Sequence, residues 1–525
     1  MKKRFNDTGS CNPQMHFMVD TSAKLQKTIE LIDQGLYFTI NRPRQFGKTT
    51  TQYLLANILL KSNDHILIRI SFEGIGDSMF TNEGNFCKEI LSLFALRTAT
   101  HYPEISKYFD EKSGNCKNFN ELSSIISEFV SIQQKKVCLL IDEVDKSSDN
   151  QLFLSFLGML RNKYLLRNEG EDITFQSVIL AGVYDIKTIK LKLRPHDEQK
   201  YNSPWNIAVD YTVDLSFSAK EIESMLIDYS QTQNIEMDIP LISKRLFNYT
   251  NGYPYLVSKM CKVVDEILLP EKENQQNWNL EDIENSYKYL VDAGYSTTLF
   301  DSLFKNLEDN HDLYQIVYNI VLNGASYPYN INEPQINLGI IFGIFCNMSG
   351  LCRIHNRIFE QRIYNYLIAK KIVADFNAQR IDVVNKQNAD GTLNIPLIFQ
   401  RFQLFMKENY AQKDIGFLER EGRLIFLSFL KPIINGKGYD FKEPVVGDER
   451  RMDVVVIYNK NRDVIELKIW RGEEYHKAGL QQLSDYLDLY NLTKGYLLIF
   501  DFNKNKTYKE EWIQLNDKEI FAAWV

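Results

Sequence analysis

The sequence predicts an α/β protein of several domains, and three stretches carry that expectation. "LYFTINRPRQFGKTTTQYLLANIL" passes from a β-branched and aromatic run, through Arg, Pro and Gly, into an apolar stretch of helical period: strand, loop, helix. "KKVCLLIDEVDK" has a charged entry, a continuous apolar strand from Val137 to Ile141 and an acidic exit, the pattern of a strand buried on both faces of a parallel sheet. Near the carboxyl end, "RMDVVVIY", "NKNR" and "DVIELKIW" read as strand, short polar turn and strand.

A chain of 525 residues exceeds what one core organises, so two to four domains are expected. Apolar content of 44% with 25% charged residues describes a folded globular protein and excludes a disordered one. The net charge of −7 repels polyanions, so contact with nucleic acid must come through a local basic patch. Seven cysteines, an odd number without a CxxC pair, point to reduced thiols and away from a disulfide frame or zinc ribbon. The start "MKKRFNDTGSCNPQ" is basic but lacks an apolar core of signal-peptide length. The most apolar window, "NLGIIFGIFCNMSG", is too short to cross a bilayer. A soluble, cytoplasmic protein without membrane contact is expected.

Gly47-Lys48-Thr49 stands at the loop-to-helix junction, where free backbone amides and the helix dipole hold phosphates. Lys48 is placed to reach the β- and γ-phosphates, and the Thr49 hydroxyl to ligate magnesium; Arg44 and Thr50 flank them as further nucleotide contacts. The usual pattern has a glycine five residues before Gly47, where this chain has Arg42. Asp142, at the end of its strand, is the candidate for holding the magnesium water shell, and Glu143 for polarising the attacking water. Alone, each motif also fits a bland reading, such as an acidic strand exit. Together and in this order they point to a nucleotide site. A third apolar strand, "FQSVILAGV", follows the helix "LFLSFLGMLRNKYLL", and its end is expected near the γ-phosphate. Arg161 on that helix is either a charge-stabilising arginine or an ordinary surface one.

"HFMVDTSAKLQKTIELIDQGLYFTINRPRQFGKTTTQYLL", "LLIDEVD", "FLGMLRNKYL", "VILAGVYDIK" and "YNSPWNIA" together resemble the bacterial AAA-ATPase-like family, related to archaeal-type and signalling P-loop ATPases. That family often writes its loop GPRRxGKT, so Pro43 and Arg44 are kept and the first glycine is lost. The resemblance implies ATP and Mg2+ as cofactors, a core over 1–215, and a helical and winged-helix lid over 216–380. It also implies a possible homo-oligomer, because ring-forming relatives borrow an arginine from a neighbour. "YTNGYPYLVSKMCKVVDEIL", with Gly252 and Pro254 ahead of an apolar helix, resembles the GxP segment of the lid; a Gly-Pro turn capping a core helix is the alternative. "LGIIFGIFCNMSGLCRIHNRIFEQRIYNYL" reads as strand, turn, strand and aromatic-rich helix, a winged-helix end without a dense basic face. Its His355 has no second ligand at metal spacing. A boundary is expected near Asn388.

In "DVIELKIW", Ile465, Leu467 and Ile469 are expected on a buried face and Glu466 and Lys468 on the other. One reading is an amphipathic edge strand with a solvated ion pair. The other pairs this strand with "RMDVVVIY", so that Asp453 and Glu466 hold one divalent cation with Lys468 beside it. Phosphodiester hydrolysis needs hard oxygen ligands for a cation that stabilises developing charge, and an ammonium that orients or activates the nucleophile. A helix carrying Glu419 and Glu421 precedes this hairpin; "AGLQQLSDYLDLY", with Gln482 and Tyr486 four residues apart, and the strand "GYLLIFDF" follow it.

D, then ExK, then QxxxY resembles the PD-(D/E)XK nuclease superfamily over 396–525, with Met452 in place of the usual proline. The resemblance implies a restriction-endonuclease-like α/β domain. Its catalytic residues are Asp453, Glu466, Lys468 and Gln482; its metal ligands are Asp453, Glu466 and Glu421, taking Mg2+ or Mn2+. Lys437, Lys442, Arg450, Arg451, Lys460, Arg462 and Arg471 are either a phosphate-backbone patch or solvated loop charges. The expected function is an ATPase that gates a nuclease acting on DNA or RNA, and in family terms such pairings imply defence against foreign nucleic acid. Two alternatives stand beside it: a nucleotide switch whose last domain binds nucleic acid or a protein without cutting, and an ATPase made vestigial by Arg42.

Overall fold

The structure, a computed structural model, describes residues 2–144, 150–182, 205–272, 277–292, 294–374, 387–410, 415–434, 438–442, 453–459, 461–502 and 508–525. Within these, the side chains of 409–410, 415–421, 438–439, 441–442, 453 and 489 lie outside the description. Two compact units emerge, Met1–Tyr289 with Asn337–Gly343, and Leu290–Ile336 with Ile344–Val525.

The first unit is built on five parallel strands: β1 (Phe38–Asn41), β2 (His65–Ser71), β3 (Lys136–Asp142), β4 (Ser177–Gly182) and β5 (Val209–Asp210), in the order β2-β3-β4-β1-β5. β3 is buried from Val137 to Asp142 and β4 throughout, as a sheet covered by helices on both faces requires. The Lys48–Lys61 helix follows β1, and the Gln151–Glu169 helix leads into β4. Leu55 and Leu59 of the first are buried, and Phe153, Phe156 and Leu160 of the second join the main core. β4 stands between β1 and β3, with Gly182 opposite Asn41, so its end lies between the two motif-bearing strand ends. The Ala219–Gln233, Ile239–Thr250 and Pro254–Val263 helices come later; the first has a full capping box of Ser218 and Glu221.

The second unit contains the hairpin of β6 (Phe345–Met348) and β7 (Leu351–Ile354), followed by the Arg357–Ala374 helix. Strand, turn, strand, helix is therefore correct, but the run begins later than expected. Leu338 to Ile341 belong to the Pro334–Ile341 helix, started by Pro334; Gly343 at φ +73 follows before β6 begins.

The carboxyl-terminal sheet has six strands in the order β12-β13-β11-β10-β9-β8. They are β8 (Gly438–Lys442), β9 (Asp453–Tyr458), β10 (Asn461–Ile469), β11 (Lys494–Phe500), β12 (Glu510–Leu515) and β13 (Lys518–Trp524). β10 runs antiparallel to β9 and parallel to β11. Val464 and Val455 face the Glu473–Leu489 helix through Leu480, Leu483 and Leu487. The opposite face meets the Ile395–Tyr410 and Ile415–Ile434 helices, where the rings of Phe399 and Tyr496 lie 6.4 Å apart and Gly422 lets the helix approach the Phe500 ring. The β9–β10 turn is tighter than "NKNR": Tyr458 pairs with Asn461, and Asn459 takes φ +48.

The expected solvated face of β10 does not exist. β10 is an interior strand, Glu466 is 0% exposed and Lys468 6%, so both faces are covered. Alternation of polar and apolar residues signals a change of face and does not say what covers the polar one.

Candidate functional site

In the amino-terminal unit the loop after β1 turns with Gln45 at φ +56 and Gly47 at φ +84, and Gly47 caps the Lys48–Lys61 helix. The Arg42 side chain donates to the carbonyls of Tyr211 (3.2 Å) and Val213 (2.7 Å) and lies 5.5 Å over the Tyr211 ring. The residue that replaces the loop's first glycine thus braces the segment after β5. Lys48 Nζ donates to the carbonyls of Arg42 (2.7 Å) and Pro43 (2.9 Å), Thr49 is exposed on the first helical turn, and Arg44 is exposed in the loop. The Thr50 hydroxyl accepts from the Cys11 amide at 3.1 Å.

Asp142 is buried at the end of β3. Its Oδ1 accepts from Gln52 Nε2 at 2.8 Å and from the Glu143 amide at 3.0 Å, and Arg69 lies 3.7 Å from its Oδ2. Glu143 follows in the left-handed region, at φ +54. Gln52 carries the connection: four residues after Lys48 on the same helix, it ties the phosphate-loop helix to the acidic end of β3. Sequence reasoning missed Gln52 and Arg69; the four-residue spacing from Lys48 is the signal that finds the first. Thr49, Asp142 and Glu143 supply only oxygen donors, which suits magnesium.

The Gly252-Tyr253-Pro254 segment touches this loop. The Tyr253 hydroxyl donates to the Arg44 carbonyl at 2.5 Å, its ring stands edge-on to Phe46 at 4.8 Å, and Pro254 faces Gly47, where an added methyl group would stand 3.7 Å from its ring. Burial pushes the Tyr253 phenol far above its ordinary range, so it is a hydrogen-bond donor at any working pH. On the Gln151–Glu169 helix Arg161 is half-buried, and its Nε has no hydrogen-bond partner among the described residues.

In the carboxyl-terminal unit, Asp453 and Glu466 stand directly opposite each other in the β9–β10 register. Lys468 Nζ sits 2.6 Å from a Glu466 carboxylate oxygen and donates to Gln482 Oε1 at 3.0 Å. Gly479, one turn before Gln482, packs against the lysine stem, where a methyl group would stand 3.2 Å from Cε. Glu466, Lys468 and Gln482 are thus brought together, and Asp453 shares their register position. Arg423, which sequence reasoning missed, is half-buried on the Ile415–Ile434 helix: burial lowers its guanidinium pKa, and the Glu466 charge opposes that shift. The Glu421 and Asp453 side chains lie outside the described residues, and among those described no three His, Cys, Asp or Glu side chains form a metal cluster.

Of the expected basic patch, Lys437, Arg450, Arg451, Lys460 and the Lys442 side chain lie outside the described residues. Arg462 lies over Tyr490 at 4.4 Å, and Arg471 over Tyr475 at 5.9 Å. All seven cysteines are free thiols, and among the described residues no helix is long and apolar enough to cross a membrane.

A family model described as an AAA-like domain matches residues 7–338. Curated proteins give no match. Among solved structures, a Walker-type ATPase of Pyrococcus abyssi, PABY2304, aligns at 12% identity and TM-score 0.45, over 69% of this chain and 99% of its own. The ORC2 protein of Aeropyrum pernix aligns at 10% identity and TM-score 0.38, over 67% and 93%. The RuvB branch migration motor of Thermotoga maritima aligns at 12% and 0.33, over 67% and 96%.

Proposed function

Because the chain belongs to the AAA-like domain family, matched over residues 7–338, we propose that it binds and hydrolyses ATP and thereby gates or positions a divalent-dependent nuclease in its carboxyl-terminal unit. In this reading 1–215 is the ATPase core, 216–380 a helical and winged-helix lid and 396–525 the PD-(D/E)XK nuclease-like domain, in a cytoplasmic protein. One observation carries the first half: Gln52 joins the phosphate-loop helix to Asp142. The loop amides and Lys48 would hold the triphosphate, Thr49 and Asp142 would hold Mg2+, and Glu143 would orient water. The magnesium ion neutralises charge on the phosphates when bound.

Support for the second half is the buried Glu466–Lys468–Gln482 set with Asp453 opposite in register. Gln482, on a neighbouring helix, accepts a second hydrogen bond from Lys468, as a buried ammonium requires, and Gly479 leaves room for the lysine stem. Asp453 and Glu466, with Glu421, would hold Mg2+ or Mn2+, which stabilises the charge of a phosphodiester under attack. Lys468 holds a proton at Nζ and orients the nucleophile, and Gln482 holds Lys468. The residues that hold the ion are oxygen donors, as hard divalent cations require. Nucleic acid is the proposed partner, and defence against foreign nucleic acid the proposed role.

The test is cleavage of single- and double-stranded DNA and RNA with Mg2+ or Mn2+, comparing wild type with Asp453→Ala and Lys468→Ala. Metal-dependent cleavage lost in both variants, each shown to be folded by its melting curve, supports the nuclease. Equal behaviour of all three proteins removes it and leaves a nucleotide switch with a binding module.

A further inference from the structure

Residues 4–17 fold back on themselves: the Arg4 amide donates to the Met15 carbonyl (3.0 Å) and the Phe17 amide to the Arg4 carbonyl (3.1 Å). The base of this loop is apolar. Phe5 and Phe17 are buried and pack on Tyr229 of the Ala219–Gln233 helix, with ring centroids 4.9 and 5.1 Å away. Its other anchors are polar and lie on two different helices. Ser258 Oγ donates to the Asn6 carbonyl at 2.6 Å, and Lys259 and Lys262 each place an ammonium 2.7 Å from the Asp7 carboxylate. On the far side the Cys11 amide donates to Thr50 Oγ1, two residues past Lys48.

The Pro254–Val263 helix is therefore held to the phosphate loop twice. Its first turn touches the loop directly, through Tyr253 on Arg44 and Pro254 on Gly47. Its later turns are tethered through residues 6–11 to Thr50. The first contact alone is a pivot; the second fixes the angle about it.

We propose that Asp7 is a positioning residue for the nucleotide: by clasping Lys259 and Lys262 it sets, through residues 6–11 and Thr50, the position of the Pro254–Val263 helix over the phosphate loop. The proposal rests on the nucleotide-binding reading of that loop. The side chains of Asp7, Lys259 and Lys262 are only 11%, 16% and 26% exposed, so solvent screens the clasp less than a surface pair. Without the carboxylate, two ammonium groups three residues apart on one helix face repel each other and lose their ionic hold on the tether.

The experiment measures two things on the full chain: affinity for a fluorescent ADP analogue, and hydrogen exchange of the amides of 255–263 without nucleotide. In Asp7→Lys the dissociation constant rises roughly tenfold, as when the competent helix position falls to about a tenth of the population. Exchange at 255–263 speeds up while that of 137–142 stays unchanged. Asp7→Lys/Lys259→Asp recovers most of both. If Asp7→Lys does not fold, Asp7→Asn shows the same shifts at smaller size. Folded Asp7→Lys with wild-type affinity and exchange overturns the proposal, as does lost affinity that the charge swap leaves unrepaired. Wild type that binds no nucleotide overturns the underlying reading of the loop, whatever the exchange shows.

Discussion

In the amino-terminal unit, the groups proposed to carry the chemistry stand where parallel strands end: Lys48 in a loop-to-helix turn after β1, Asp142 and Glu143 at the exit of β3. In the carboxyl-terminal unit they stand within a strand, since Glu466 and Lys468 occupy the interior β10 with almost no exposure. Lys48, half-buried at the loop-to-helix turn, adds little to the core, so removing it costs ligand binding and spares the fold. A charge inside a strand is part of the core, so removing it costs stability before activity is measured. Variants in the two units must be read on different scales.

The largest expected effect tests the buried pair. Lys468→Met leaves the Glu466 carboxylate without its ammonium and should destabilise the chain by about 3–5 kcal/mol in urea denaturation. Glu466→Gln/Lys468→Met should regain most of that loss, because a buried pair offsets its own desolvation poorly. A loss below about 1 kcal/mol for the single variant would place the pair in contact with water and break the comparison.

Gly252→Ala sharpens it from the other unit, because there the backbone and not a charge is the constraint. Gly252 has φ +70, and a methyl group would run into the Phe217 carbonyl. About 3 kcal/mol of strain is expected, read as a lowered melting temperature. An unchanged melting temperature would mean that the segment does not pack on Phe217.

Lys48→Ala should leave the unliganded melting curve within experimental error of wild type. It should, however, abolish the roughly 2.7 kcal/mol of stabilisation that wild type gains at a nucleotide concentration a hundredfold above its dissociation constant. Retained stabilisation would make the loop a structural turn and favour the vestigial reading.

The smallest effect separates two acids on one strand. Asp463 lies on the face of β10 opposite Glu466; its Oδ2 has no hydrogen-bond partner among the described residues, and burial pushes its carboxyl up to about 6. The folded state then holds a proton that the unfolded chain releases near pH 4. This contribution to stability is complete below the unfolded pKa and is lost as pH rises through about 6. Asp463→Asn should therefore stabilise the protein above pH 6 by about 2 kcal/mol, after discounting for partial exposure, and flatten the pH profile between 4 and 6. A variant with the wild-type profile would contradict this.

The sequence makes the strand, loop and helix around Lys48 legible because glycine, a helix start and a β-branched run are all local signals. The buried strand ending at Asp142 is legible for the same reason. The role of Arg42 is not, since its partners at Tyr211 and Val213 lie 169 and 171 residues away. The spacing from Lys48 marks Gln52, but the Gln52–Asp142 bond spans 90 residues, so its partner has no local mark. In the last unit "DVIELKIW" announces a strand, and its neighbours β9 and β11 are legible as "RMDVVVIY" and "GYLLIFDF", but β8, β12 and β13 are not. β8 is only five residues long, β12 is acidic and largely exposed, and β13 mixes alanine into its apolar run. What the sequence does not mark is that β11, reached through a helix, pairs parallel to β10 on the side away from β9; that pairing closes the edge reading of β10.

Crystals soaked in Mn2+ and examined by anomalous scattering bear most directly on the claim that β9 and β10 together hold a divalent cation. The account predicts one strong peak about 2.1 Å from carboxylate oxygens of both Asp453 and Glu466, lost in Asp453→Asn. A Glu466 carboxylate bonded to Lys468 alone, with no peak within reach of either acid at saturating Mn2+, would contradict it.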